Sequence, residues 1–279
     1  MKTRPYNNLW KRLHRSAWEK RFPLRMMFEL TYRCNFECGH CYVPRSCGRK
    51  GELKTKEVFS ILDELKEMGC FYLGFTGGEP FIRKDIMDIL WHAKNKGFEV
   101  MIYTNGSLID ENLAGELARL KPNKVDITIP ALRRYAFERI SGVKGSRNRV
   151  FKAIDMLHKN RVNLGFKTCV LKENFLEIKE IYNFASSLGV PYRLDDRILP
   201  RLDGLRKPYH GPSTIDLFEC GAGMSQAAIT PSGELKACLM IDHPRFGIPD
   251  TSLKGAWEKM KESVISIKPK CPARAKLKK

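Results

Sequence analysis

A parallel α/β fold of six strands is predicted by three observations. Short apolar runs alternate with helix-period segments between residues 26 and 195, the connections are long enough to cross over, and residues of unusual type fall just past the runs. Residues 26–31 read as the first strand. Val58, Ile61, Leu62, Leu65 and Met68 then recur at three- and four-residue spacing, which makes one apolar helix face over 54–68, and Gly69 stops it. A strand at 72–76 and a helix at 85–95 form the second pair; 99–104 and 111–120 form the third. The strand at 124–129 is followed by a Gly-rich loop and a helix at 149–160, the strand at 163–170 by a helix at 175–188, and 192–195 supplies the sixth strand. An open doubly wound sheet and an incomplete β/α barrel both satisfy this order, and in both the chemistry sits at the carboxyl ends of strands. Those ends carry a cysteine loop after strand one, GGEP after strand two and TNG after strand three.

The alternation stops near residue 205, which divides the chain into a basic arm (1–25), a core (26–205) and a small cysteine-bearing region (206–279). Of the 279 residues, 43% are hydrophobic and 29% charged, a globular composition that excludes a largely disordered chain. No stretch approaches the roughly 20 apolar residues of a membrane span, and the basic N-terminus lacks the apolar centre of a secretory signal, so a cytoplasmic protein is expected. The net charge of +19 is concentrated at the ends: residues 1–50 hold 12 Lys and Arg against 3 Asp and Glu, and residues 254–279 hold 9 against 2. Solvated, solubilising ends are the simplest reading. The near-neutral middle and the lack of a nucleic-acid module argue against a nucleic-acid partner.

Nine cysteines in a reducing compartment point to metal or redox chemistry rather than disulfides. Cys70 and Cys169 stand in apolar surroundings and read as small buried side chains. Cys34, Cys38 and Cys41 form CxxxCxxC on one loop, and Cys47 beyond them reads as an accessory thiol. Three thiolates can hold three corners of a 4Fe–4S cluster and leave one iron open; a structural zinc site would instead be written as two CxxC pairs.

CxxxCxxC after the first strand, with Gly77-Gly78-Glu79-Pro80 after the second, resembles the radical S-adenosylmethionine (SAM) superfamily. The resemblance implies a partial (β/α)6 TIM-like barrel in which Cys34, Cys38 and Cys41 ligate the cluster and SAM chelates the remaining iron. It further implies one-electron cleavage of SAM to a 5′-deoxyadenosyl radical, hydrogen abstraction from a substrate, and a flavodoxin- or ferredoxin-type electron donor. Gly77 and Gly78 would let backbone approach the cofactor, Glu79 would accept from the SAM ammonium, and Pro80 would fix the turn. His40 stands where the family has an aromatic residue near adenine, and Thr104, Asn105 and Thr128 stand where it places polar contacts to SAM. For Lys167 and Asn174 a solvated strand edge is the simpler reading.

Cys220, then Gly233 and Cys238, resembles the opening of the SPASM/twitch auxiliary-cluster domain, with ITPSGELKAC as its β-hairpin. The pattern departs at Cys271-Pro272-Ala273-Arg274, where Arg replaces the next cysteine. Cys220, Cys238 and Cys271 therefore either hold one auxiliary cluster or mark a decayed site whose hairpin covers the barrel mouth. The stretch 141–146, FKTCVLKEN and DRILPRLDG resemble enzymes that modify ribosomally made peptides. Radical enzymes on small molecules such as tetrapyrroles or sugars are the alternative, and a non-catalytic iron–sulfur or nucleic-acid-binding protein is the reading from another class.

Overall fold

The computed structural model describes residues 5–43, 51–195, 197–198, 202, 209–210, 221–239, 241 and 243–267. Six parallel strands follow one another in space in chain order: β1 (Arg25–Thr31), β2 (Tyr72–Gly77), β3 (Glu99–Thr104), β4 (Lys124–Thr128), β5 (Leu164–Cys169) and β6 (Tyr192–Asp195). The helices between them are α2 (Thr55–Glu67), α3 (Ile86–Asn95), α4 (Glu111–Leu120), α5 (Arg134–Ser141), α6 (Ser146–Lys159) and α7 (Ile178–Ser187). This is the expected (β/α)6 series, with strand boundaries within two residues of those read from the sequence.

Strand alternation separates two chemically different faces. Met26, Phe28, Leu73, Phe75, Val100, Ile102, Val125, Ile127, Leu164 and Phe166 lie on one face, buried beneath the helices. The helices meet them with their own apolar stripes, such as Val58, Ile61, Leu62 and Leu65 of α2. The other face is polar and carries Glu29, Tyr103, Asp126, Lys167 and Arg193. Gly74 makes room there: a Cβ on it would lie 2.6 Å from Met27 Sδ and 2.9 Å from the Tyr103 ring.

Helix α5 escaped the sequence reading. The segment taken as a Gly-rich loop contains α5, whose Ala136, Phe137 and Ile140 are buried and which ends at Gly142 in the left-handed region. Two turns of helix are too short to stand out by periodicity.

The expected hairpin forms from β9 (Gln226–Ile229) and β10 (Glu234–Lys236), and it joins the core rather than standing apart. β9 pairs in parallel with β1, Arg25 opposite Gln226 through Phe28 opposite Ile229, and β11 (Phe246–Gly247) extends the edge beyond β10. The hairpin is therefore a continuation of the barrel wall. A separate two-stranded ribbon joins β7 (Arg197–Ile198) to β8 (Tyr209–His210).

The basic arm folds as α1 (Pro5–Lys20), whose Trp10 packs edge-on against Tyr72 at the start of β2, with ring centroids 4.9 Å apart. The last helix, α8 (Ser252–Ile267), buries Leu253, Ala256, Trp257 and Met260. The Trp257 indole N–H donates to Arg21 O at 2.9 Å, which ties α8 to the end of α1. Trp257→Ala is expected to cost about 3–5 kcal/mol, as for other buried aromatic truncations. Urea denaturation checks this, and a loss below about 1 kcal/mol would mean that the α8 contact is peripheral.

Candidate cluster and cofactor site

β1 ends at Thr31 and releases the loop bearing Cys34, Cys38 and Cys41. The chain holds this loop from two sides. The last carbonyls of α5 accept from it, Ile140 O from Gly39 N–H at 3.3 Å and Ser141 O from Glu37 N–H at 2.8 Å, while Phe36 anchors it in the core. From the other side the GGEP turn docks on it: Gly78 N–H donates to Thr31 O at 2.7 Å and Glu79 N–H to Arg33 O at 2.9 Å. A Cβ on Gly77 would sit 2.1 Å from Thr31 O, and one on Gly78 2.1 Å from Arg33 O. The two glycines thus let two stretches of protein backbone meet. Pro80 opens a single turn of tighter helix, and Arg83 behind it donates to Leu30 O and Leu53 O, both at 3.1 Å.

Cys34 is exposed, and Cys38 and Cys41 are half-buried. Desolvation of the sulfur pushes the Cys34 thiol up to about 11, with Glu79 and Cys41 adding to the rise, and that of Cys38 up to about 12, with Cys41 and Cys34 adding to it. A metal centre binding these sulfurs would have to displace their protons. Among the described residues no three His, Cys, Asp or Glu side chains close on one point as ligands of a single ion do.

Glu79 is 0% exposed. Its carboxylate accepts from Phe81 N–H at 3.1 Å, Thr104 Oγ1 at 2.7 Å and Asn105 N–H at 2.8 Å. Burial pushes the carboxyl up to about 7 against the pull of those bonds. Asn105 continues the chain of contacts: its Nδ2 donates to Asn35 Oδ1 at 2.9 Å and lies 3.8 Å from Cys34 Sγ, and its Oδ1 accepts from Ser107 N–H at 2.8 Å. Asn35 Nδ2 in turn donates to Ser107 Oγ at 2.8 Å. Glu79, Thr104, Asn105, Asn35 and Ser107 therefore form one hydrogen-bonded bracket between three strand ends and the first cysteine. The sequence reading placed Thr104 and Asn105 here but missed Asn35 and Ser107, whose only signal is polarity near a turn.

Glu79→Gln should test the bracket. Glutamine has one acceptor oxygen where three donors converge, so a donor meets a donor, at about 1–3 kcal/mol. The sign of the pH effect follows from the raised carboxyl. The folded state holds this proton more tightly than the unfolded chain, so the group's contribution is full below about 4.5 and is lost as pH rises through about 7. The stability gap between the native protein and the variant, measured in the apo form, is expected to be wider at pH 5 than at pH 8. An equal gap would contradict the buried carboxyl.

His40 is half-buried between Cys38 and Cys41, and Thr128 is half-buried at the end of β4 in register with Lys167. Three expectations are corrected. Lys167 is not a solvated edge residue, since its Nζ pairs with Asp195 Oδ2 at 2.9 Å. Asn174 is fully buried; its amide donates to Pro130 O and Cys169 O, both at 2.8 Å, and stitches the ends of β4 and β5 together. Cys169 is half-buried at the end of β5 and feels the charge of Cys41. Leu164 and Phe166 of its strand face the helices, and its own position alternates inward. Cys238 is half-buried at the end of the hairpin, while Cys47, Cys220 and Cys271 lie outside the described residues.

The Radical SAM superfamily profile matches residues 28–185, more than half of the chain. An Fe-coproporphyrin III synthase of Methanosarcina barkeri is 28% identical over 167 residues, 60% of this chain and 42% of that protein. A PqqA peptide cyclase of Granulibacter bethesdensis is 29% identical over 168 residues, covering 60% and 45%. The mycofactocin maturase MftC of Mycolicibacterium smegmatis is 27% identical over 267 residues, covering 80% and 66%. The chain thus spans less than half of the first two relatives. In fold it is similar to Streptococcus suis SuiB solved with S-adenosylmethionine, at TM-score 0.72 and 16% identity over 96% of this chain and 74% of that one. It is also similar to anSMEcpe solved with AdoMet and a peptide, at TM-score 0.66 and 16% identity over 88% and 83%.

Proposed function

The chain belongs to the radical SAM superfamily, and from that premise we propose that Cys34, Cys38 and Cys41 hold a 4Fe–4S cluster whose remaining iron is left for SAM, in an enzyme of ribosomal peptide maturation. The observation that carries this reading is a loop bearing three thiols at the carboxyl end of the sheet, joined to the GGEP turn through its backbone and to the TNG turn through Asn105 beside Cys34. When bound, the cluster and SAM supply reductive cleavage of the sulfonium and hydrogen-atom abstraction from the substrate.

The protein's own residues orient and shelter that chemistry. Glu79 spends three of its roughly four lone-pair positions on Phe81, Thr104 and Asn105; its role is to hold Asn105 against the cysteine loop, with one position left for the SAM ammonium. Gly77, Gly78 and Pro80 fix the turn, and His40, Thr128 and Lys167 line the mouth for adenine and ribose. Residues 26–205 form the catalytic core. A flavodoxin- or ferredoxin-class donor in the cytoplasm supplies the electron.

A peptide substrate is supported by the relatives named as peptide cyclase and maturase. The synthase relative favours a second reading, a small molecule such as a tetrapyrrole. The inner face suits either, with its ion pairs Arg193–Asp126 at 3.3 Å and Lys167–Asp195 at 2.9 Å. The deciding experiment is anaerobic reconstitution followed by reduction with SAM and assay for 5′-deoxyadenosine. Candidate precursor peptides and small molecules such as tetrapyrroles are then offered, and coupled consumption of one class settles the substrate.

Cys220, Cys238 and Cys271 are proposed as ligands of one auxiliary 4Fe–4S cluster in a truncated SPASM/twitch-like region. About eight irons per chain are then expected, with about four retained when Cys34, Cys38 and Cys41 are all replaced by Ala. Iron and sulfide counting on that variant checks this, and no retained iron would mean that the region carries no cluster.

A further inference from the structure

Two residues before the end of β1, Glu29 points to the polar face and is 0% exposed. Tyr42 OH donates to its Oε1 at 2.6 Å and Tyr32 OH to its Oε2 at 3.1 Å. These tyrosines flank the cysteine loop, one two residues before Cys34 and the other immediately after Cys41. A single carboxylate therefore clasps both ends of the loop.

The carboxylate is itself held from far along the chain. Lys236 Nζ lies 3.0 Å from Glu29 Oε2, and Lys236 is also 0% exposed. Lys236 sits on β10 opposite Ala228 of β9, which sits opposite Met27 of β1. The small Ala228 side chain leaves room for the lysine stem to pass over β9. Withdrawing both charges from water is expensive, and apolar residues of similar size would fill the wall at least as stably. The arrangement is thus accounted for by what it positions.

We propose that Lys236 is a positioning residue for the cluster loop: it fixes Glu29, which fixes Tyr32 and Tyr42, so that the C-terminal hairpin sets the placement of Cys34 and Cys41. This rests on the reading that Cys34, Cys38 and Cys41 hold the cluster.

The test is a double-mutant cycle on the reconstituted full chain, read by iron content, by SAM affinity from equilibrium dialysis and by the change that SAM makes in the electron paramagnetic resonance of the reduced cluster. Tyr42→Phe and Lys236→Met are each expected to weaken SAM binding about tenfold and to alter that spectral change. Because both act through Glu29, the double variant should also lose about tenfold rather than about a hundredfold. Additive losses, or two variants with native affinity and spectrum, would overturn the proposal. Lys236→Met leaves a buried carboxylate unpaired, so Glu29→Gln with Lys236→Met is the second arm. It should recover the melting temperature while keeping the weakened SAM binding; recovery of both would mean that the lysine only balances charge, and the proposal fails. A native chain that takes up iron and binds SAM establishes the premise independently of the cycle. One that takes up no iron removes the premise and the proposal with it.

Discussion

Replacing Cys34, Cys38 and Cys41 together by Ala is expected to abolish 5′-deoxyadenosine formation. It should also remove the iron held at the barrel mouth, while the far-ultraviolet circular dichroism stays native. The loop does not depend on metal for its course, because α5 carbonyls, the Phe36 anchor and the GGEP turn hold it through the protein alone. The thiols add little to stability: Cys34 is exposed and the other two are half-buried. They are also poor acids in the apo protein, at about 11 for Cys34 and about 12 for Cys38. Cluster assembly must therefore displace thiol protons, and reconstitution is expected to proceed faster at pH 8.5 than at pH 7. Deoxyadenosine produced at the native rate by the triple variant would refute the site.

The second large effect is expected from Gly78→Ala. Its new methyl would lie 2.1 Å from Arg33 O, so the turn must move away. That movement breaks the Gly78 N–H bond to Thr31 O and the Glu79 N–H bond to Arg33 O. Two lost bonds at about 1 kcal/mol each give a loss of at least about 2 kcal/mol. Displacing Glu79 also releases Asn105 from the cysteine loop, so SAM affinity should fall with stability. Gly77→Ala should behave alike, since Gly77 has φ of 127° and meets Thr31 O at the same distance. Gly115→Ala is the control. Nothing lies within 4 Å of the added methyl in mid-α4, and a gain of about 0.5–1 kcal/mol is expected. Denaturation midpoints of the three variants check the contrast; similar midpoints would show that the turn tolerates a side chain.

What could be read in the sequence was what the chain writes contiguously. β1 to β6 each hold their alternation within a few residues, and the three cysteines and GGEP each lie within eight. The hairpin was legible for the same reason, as two short strands about a Pro-Ser-Gly turn. What escaped was assembled from a distance. Asn35 meets Ser107 across 72 positions and Glu29 meets Lys236 across some 200, and no local pattern marks either. α1 was hidden by composition: its many Lys and Arg residues suggested a solvated arm, although Trp10 and Ala17 give it an inward side. Cys169 misled because its apolar neighbours in the chain face away from it across the sheet.

The parallel pairing of β1 with β9 bears on the order in which the protein is made. Translation delivers β1 early, but its outer edge stays unpaired until Gln226 to Ile229 have been synthesised, about 200 residues later. For most of that interval the nascent chain exposes a strand edge beside Met26 and Phe28, the kind of template on which a second chain can add. Closing so distant a contact is also slow, since the entropy of the long loop is spent before the sheet returns it. Residues 226–229 therefore serve as the intramolecular cover of β1, and the wall closes only once they have been made.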